Sequence, residues 1–191
     1  KALAGRKVYI SLLYEYPAIQ LQMLTLCSVS DWFTERLVKY PILLDSLLST
    51  AEVFRQQYDV KQLLDLELVR IDSDNTGADL ELIMDRLRQF KRQTVFTVAM
   101  LDVFYEEPVE AVSDQLTELA DVLLEKILSY SWQAMCERYG EPGCIIDGEL
   151  VKPSMSIVAY GKMGGNELAY DSDLDIIFLH NSEGEKQFTS G

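Results

Sequence analysis

The sequence predicts an α+β chain, mainly helical over its first two-thirds and ending in the first strands of an α/β core. Three observations carry this. Apolar residues recur at helical spacing from Val8 to Ala134. Gly140 and Pro142 close the last of these helices. Short β-prone runs follow at 144–151, 156–160 and 173–180, set apart by glycine turns. The expected organisation is a helical region over residues 1–140 and the opening of a strand-bearing core over 141–191.

The helices can be justified in order. Between Val8 and Leu48 the apolar positions are broken by Pro17 and Pro41, which implies several short helices. Their core candidates include Ile19, Leu21, Leu24, Leu26, Trp32, Phe33, Leu37 and Leu44. Ser30 or Asp31 is placed to cap a helix starting at Trp32. Pro41 suits the first turn of the next. Trp32 reads as core, with a partner groove as the alternative. Residues 57–70 suggest another helix, and 72–77 a polar, solvated loop without calcium-site spacing.

From Asp79 to Phe104, Leu80, Ile83, Met84, Leu87, Phe90, Val95, Val98 and Leu101 form one apolar stripe, ended by Pro108. Arg86, Arg88, Lys91 and Arg92 cluster on this helix. They read either as a solvated face or, for Arg88 and Lys91, as groups facing an anionic ligand. Ser113 is the expected cap of the next helix, whose stripe runs from Leu116 through Leu123 to Ala134. Asp147-Gly148 between apolar residues marks a hairpin.

The chemistry lies in SIVAYGKMGGNELAYDSDLDIIFLH, residues 156–180. Asp173 and Asp175 stand two apart at the head of a run, Ile176–Leu179, that reads as a buried strand. On a strand they share a face, with Cα atoms ~7 Å apart. Two such carboxylates repel unless a cation neutralises them, and Mg²⁺ suits that donor set. Gly164-Gly165 lets backbone N–H groups approach a phosphate. Asn166, Glu167 and Leu168 are the expected start of a short helix whose N-terminus favours an anion.

Composition excludes some classes. Hydrophobic content of 48% and charged content of 25% are ordinary for a soluble globular chain. No apolar run approaches the ~20 residues of a membrane span. Lys1, with no initiating Met and no signal-like start, reads as an internal cut from a longer protein. Three cysteines without metal-ligand spacing fit a reduced, cytoplasmic setting. Thirty-one acids against seventeen bases give a net charge of −14, which disfavours a polynucleotide partner.

A glycine pair, a short spacer and Asp-x-Asp at a strand head resemble the nucleotidyltransferase fold of the DNA polymerase beta superfamily. The wording GKMGGNELAYDSDLDIIFLH is similar to a narrower family, the bacterial glutamine synthetase adenylyltransferase/adenylyl-removing enzymes. LVKYPILLDSLL, LRQFKRQ and SDQLTELAD resemble that family's C-terminal, adenylylating unit. The resemblance implies transfer of AMP from ATP to a tyrosine of glutamine synthetase by two-metal chemistry, in the service of nitrogen regulation. It implies Asp173 and Asp175 as catalytic residues and Mg²⁺ ligands. It implies Gly164, Gly165, Ser172 and Lys162 as nucleotide contacts, although a solvated Lys162 is equally compatible. Glu167 reads as a supporting or merely exposed residue, and His180 as a strand-end residue. Regulation by a PII-type signalling protein and by glutamine is implied as well. Two alternatives stay open: the adenylyl-removing, phosphorolytic unit, and a docking fragment without turnover. The superfamily's third carboxylate has no candidate after His180, so the core is expected to be truncated, inactive alone, and left with an exposed apolar strand edge.

Overall fold

The computed structural model describes residues 7–48, 59–74, 80–184 and 186–190. The chain begins with α1 (Lys7–Glu15), α2 (Pro17–Val29) and α3 (Asp31–Lys39), followed by a 3₁₀ segment at Pro41–Leu47. Pro17 and Pro41 each sit at the start of their element, where a missing N–H costs nothing. Ser30 is the cap of α3: its hydroxyl accepts the Trp32 N–H at 3.2 Å. Then come α4 (Val60–Asp74), α5 (Leu80–Tyr105) and α6 (Val109–Tyr139). Residues 72–74 are the end of α4, not loop; 75–77 of the expected loop lie outside the described residues.

The start of α6 corrects the expectation at Ser113. The helix begins at Val109 behind Pro108, with Glu110 in its first turn. Proline's fixed φ and an acid at the positive helix end start it five residues early. Ser113 is buried inside the helix, and the Thr117 hydroxyl donates to its carbonyl oxygen at 2.8 Å. The far end is as expected. Gly140 takes a φ of 83° and its N–H bonds the Cys136 carbonyl.

Two cores share α5. One joins Val60, Leu64 and Leu68 of α4 to Ile83, Leu87 and Phe90 of α5 and to Leu116, Leu119 and Leu123 of α6. The other joins α2, α3 and the 3₁₀ segment to Phe96, Ala99 and Met100. The single stripe expected on α5 therefore widens, and every residue from Thr94 to Leu101 is buried. Thr97 satisfies its hydroxyl on the Gln93 carbonyl. Phe96 is 1% exposed, so its truncation to alanine would cost ~3–5 kcal/mol. Leu21 and Leu24, expected in the core, are exposed on the outer face of α2. Among the described residues, no helix is long and apolar enough to cross a membrane.

Two small antiparallel sheets follow. The first has the order β2 (Glu149–Val151), β1 (Pro142–Ile146), β5 (Gln187–Thr189). Its hairpin turns at Asp147 and Gly148, with φ of 52° and 85°, the pair of left-handed residues a two-residue turn needs. The second pairs β3 (Met155–Ala159) with β4 (Ile176–His180), Ile157 opposite Phe178. Expected burial of β4 is not met: Ile177, Phe178 and Leu179 are exposed. Among the described residues β4 pairs with β3 alone, so its other edge carries no strand partner.

Candidate active site

The site grows from the junction of β3 with a short helix, α7 (Gly161–Gly164). This helix lies earlier than the one expected at Asn166. Asn166 instead takes a left-handed φ of 55°, which asparagine tolerates and which ends the turn. The Tyr160 N–H donates to the Asp175 carbonyl at 2.8 Å, holding the head of β4 to the start of α7. Gly161 has a φ of 54°, and a Cβ there would fall on the Asp175 carboxylate. A Cβ at Gly164 would stand 2.8 Å from the Ala159 carbonyl oxygen. Gly165 differs: its nearest neighbour would be the Gly161 carbonyl oxygen at 3.5 Å, ordinary contact. The fold itself thus requires glycine at 161 and 164 but leaves room for a side chain at 165.

Asp173 and Asp175 precede β4 rather than opening it, because ladder pairing begins at Ala159 opposite Ile176. Both are exposed, as are Lys162, Gly164 and Gly165. Asp175 faces Gly161, while Asp173 lines a cavity on the helical side. Among the described residues no three His, Cys, Asp or Glu side chains gather into a metal site. The donor set fits a hydrated Mg²⁺ that takes one or two carboxylates and fills its remaining positions with water and phosphate. It does not form a closed cage. His180 is at the far end of β4, opposite Met155, and its Nδ1 accepts the Ser182 N–H.

The loop between α7 and β4 is clamped to the helices by contacts that sequence reasoning missed. Leu168 is buried in the α4–α5–α6 core. The Tyr170 hydroxyl donates to Asp102 Oδ2 of α5 at 2.6 Å. Burial, and then this bond to Asp102, push the Tyr170 hydroxyl well above the usual tyrosine range. Asp171 accepts the Trp32 indole N–H on one oxygen at 2.6 Å and pairs with Arg36 through the other. Trp32 therefore has a polar task beside its packing on Phe96 and Tyr170. Ser172 closes the loop: its Oγ accepts the Ala169 N–H at 2.9 Å, and its own N–H returns to the Ala169 carbonyl. Only the Trp32 position carried a sequence signal, as an aromatic with a polar edge.

Between this loop and the helices lies a cavity of about 350 Å³. It is lined by Ser172 and Asp173 of the loop and by Arg36, Arg88, Lys91 and Arg92 of the helices. Arg88 and Lys91, read either as a solvated face or as groups facing an anionic ligand, both line the cavity that includes Asp173. Arg88 also pairs with Asp85 at 2.6 Å, and Arg92 lies over the Tyr40 ring at 4.6 Å. Lys39 first, with Arg92 contributing, holds the Tyr40 hydroxyl below the usual range. Lys162, Gly164, Gly165 and Asp175 are not part of this cavity wall.

The model of the family described as glutamate-ammonia ligase adenylyltransferase matches residues 20–191. The chain is 42% identical over its whole length to the bifunctional glutamine synthetase adenylyltransferase/adenylyl-removing enzyme of Thioalkalivibrio sulfidiphilus, covering 20% of that protein. It is 39% identical over 95% of its length to the enzyme of the same name from Alteromonas mediterranea, covering 18% of it. The counterpart from Methylococcus capsulatus is 37% identical over the whole chain, which covers 20% of that protein. The chain thus spans about a fifth of the length of these relatives. A match along nearly all its residues, at these identities, places the chain in the glutamate-ammonia ligase adenylyltransferase family.

Proposed function

We propose that the chain contributes the glycine turn and two metal-binding carboxylates of a nucleotidyl-transfer site, in a core of the DNA polymerase beta type. In this reading the site moves AMP from ATP to a tyrosine hydroxyl of glutamine synthetase. The observation that supports it most is the packing of Asp175 against Gly161, which sets a carboxylate beside the turn at Gly164-Gly165. Gly165 reinforces it, since nothing in the fold forbids a side chain there and close approach of a phosphate would.

The chain's residues divide the work. The N–H groups of Gly164, Gly165, Asn166 and Glu167 already donate to the Tyr160, Gly161, Met163 and Lys162 carbonyl oxygens, so Gly165 contributes open space for the close approach of a phosphate and not free donors. Asp173 and Asp175 would hold Mg²⁺, and Lys162 adds positive charge beside the turn. A tyrosine hydroxyl, with pKa ~10, is a weak nucleophile at neutral pH. The chemistry Mg²⁺ supplies when bound is neutralisation of charge on the attacking oxygen and on the departing pyrophosphate. The phenolic oxygen bonds to the α-phosphorus, the bond from that phosphorus to the bridging oxygen breaks, and the phenolic proton passes to solvent. Ser172, whose Oγ accepts from Ala169, keeps its hydroxyl proton for a phosphate or for Asp173.

The relatives are named for two activities, adenylyl transfer and adenylyl removal. A two-arm assay separates them by comparing the protein extended to the length of its relatives with its Asp173→Asn variant. Loss of labelled AMP incorporation from ATP into glutamine synthetase, with the release of ADP from adenylylated synthetase and phosphate retained, supports the proposal. Loss of ADP release with incorporation retained assigns the chain to the removing unit.

A further inference from the structure

We propose that the cavity between the helices and the loop is a binding site for a phosphate-class anion, held by Lys91 and Arg88 of α5. The anion is either free pyrophosphate or the phosphate tail of a nucleotide. The second form rests on the reading of Asp173 and Asp175 given above; the first does not.

Charge carries the inference. The chain has a net charge of −14, yet four cations face this one cavity against two carboxylates, Asp171 and Asp173. Asp171 is already occupied by Trp32 and Arg36. Arg92 is spread over Tyr40, and Arg88 keeps one exposed partner, Asp85. Lys91 has no hydrogen bond or ion pair among the described residues, although it is exposed on a helix whose chain is rich in acids. A free lysine and a weakly paired arginine, one helical turn apart and lining the same cavity, offer donors to a common ligand. Exposed pairs such as Arg88–Asp85 contribute little and exchange readily for a stronger, multiply charged acceptor.

Size and walls agree. A volume of about 350 Å³ suits a small ligand. The lining mixes cationic donors with the Ser172 hydroxyl and includes Asp173. The helical region would then take part in binding instead of serving as scaffold alone.

Trp32 lines the cavity, so its fluorescence reports occupancy. The 191-residue chain is titrated at constant ionic strength with pyrophosphate without metal, and with ATP plus Mg²⁺. The same titrations are run on the double variant Lys91→Ala/Arg88→Ala and on Asp173→Asn. Both substituted cations are exposed, so the fold is expected to persist, checked by circular dichroism. The proposal expects binding that the double variant weakens about tenfold or more, the effect of losing charge-assisted bonds. Weakening of pyrophosphate binding in the double variant identifies a free-anion site, which Asp173→Asn, by removing a carboxylate from the lining, should not weaken. Weakening confined to ATP with Mg²⁺, shared by Asp173→Asn, identifies the nucleotide tail. Unaltered affinity of the double variant for every probe that binds the parent overturns the proposal, as does no binding of either probe. ATP binding lost in Asp173→Asn, with neither probe weakened in the double variant, overturns it while the carboxylate reading stands.

Discussion

The Tyr170 hydroxyl reaches Asp102 Oδ2 across 2.6 Å, joining the loop before β4 to a helix 68 residues earlier. With Asp171 on Trp32 and Arg36, this fixes the Asp173 neighbourhood to the helical region at two points. The position of the carboxylates is therefore a tertiary property, set by α3 and α5 as much as by β3 and β4.

Tyr170→Phe should lower stability by about 1–3 kcal/mol, because Asp102 loses its donor in a partly buried setting. Urea denaturation of the chain measures this. The pH dependence follows from the raised hydroxyl. An unfolded tyrosine titrates near ~10, and the folded group titrates higher. The contribution is present in full below ~10 and fades as pH rises through the folded value. Stability of the parent should fall over that alkaline window more than that of Tyr170→Phe. Parallel curves would show that Tyr170 does not anchor the loop.

Gly161→Ala combines a left-handed φ with a Cβ on the Asp175 carboxylate. The conformational cost alone is ~1–2 kcal/mol. Displacement of Asp175 should abolish AMP transfer in the extended protein while the helices remain. Near-normal transfer with unchanged stability would contradict this.

Gly164 and Gly165 should separate. Gly164→Ala drives a Cβ toward backbone, the Ala159 carbonyl, and should cost about 1–3 kcal/mol. Gly165→Val meets no such wall and should leave the melting temperature nearly unchanged, but weaken ATP binding by blocking phosphate approach. Calorimetry showing unaltered ATP affinity for Gly165→Val would remove Gly165 from the site.

Local chemistry explains which parts of the fold could be read from residues alone. Pro17, Pro41, the Ser30 cap, the Gly140 end and the Asp147-Gly148 turn each act over a few residues, and each stands where expected. Ser113 misled because a good capping residue is also tolerated inside a helix when its neighbours pack well. All-round burial of Thr94 to Leu101 could not be read from a stripe, since it needs two cores on opposite sides of one helix. Within the site, the glycine turn and carboxylates announced themselves through spacing. The clamp did not, because Tyr170 and Asp171 find partners 68 to 139 residues away.

The central claim is that Asp173 and Asp175 are the metal-binding carboxylates of adenylyl transfer. Its most direct test is labelled AMP incorporation into glutamine synthetase with Mg²⁺, by the protein extended to the length of its relatives, for Asp173→Asn and Asp175→Asn separately. Both side chains are exposed, so each variant should fold as the parent does. Incorporation should fall to background in both, with an unchanged denaturation midpoint. Near-parental incorporation by either variant would contradict the assignment.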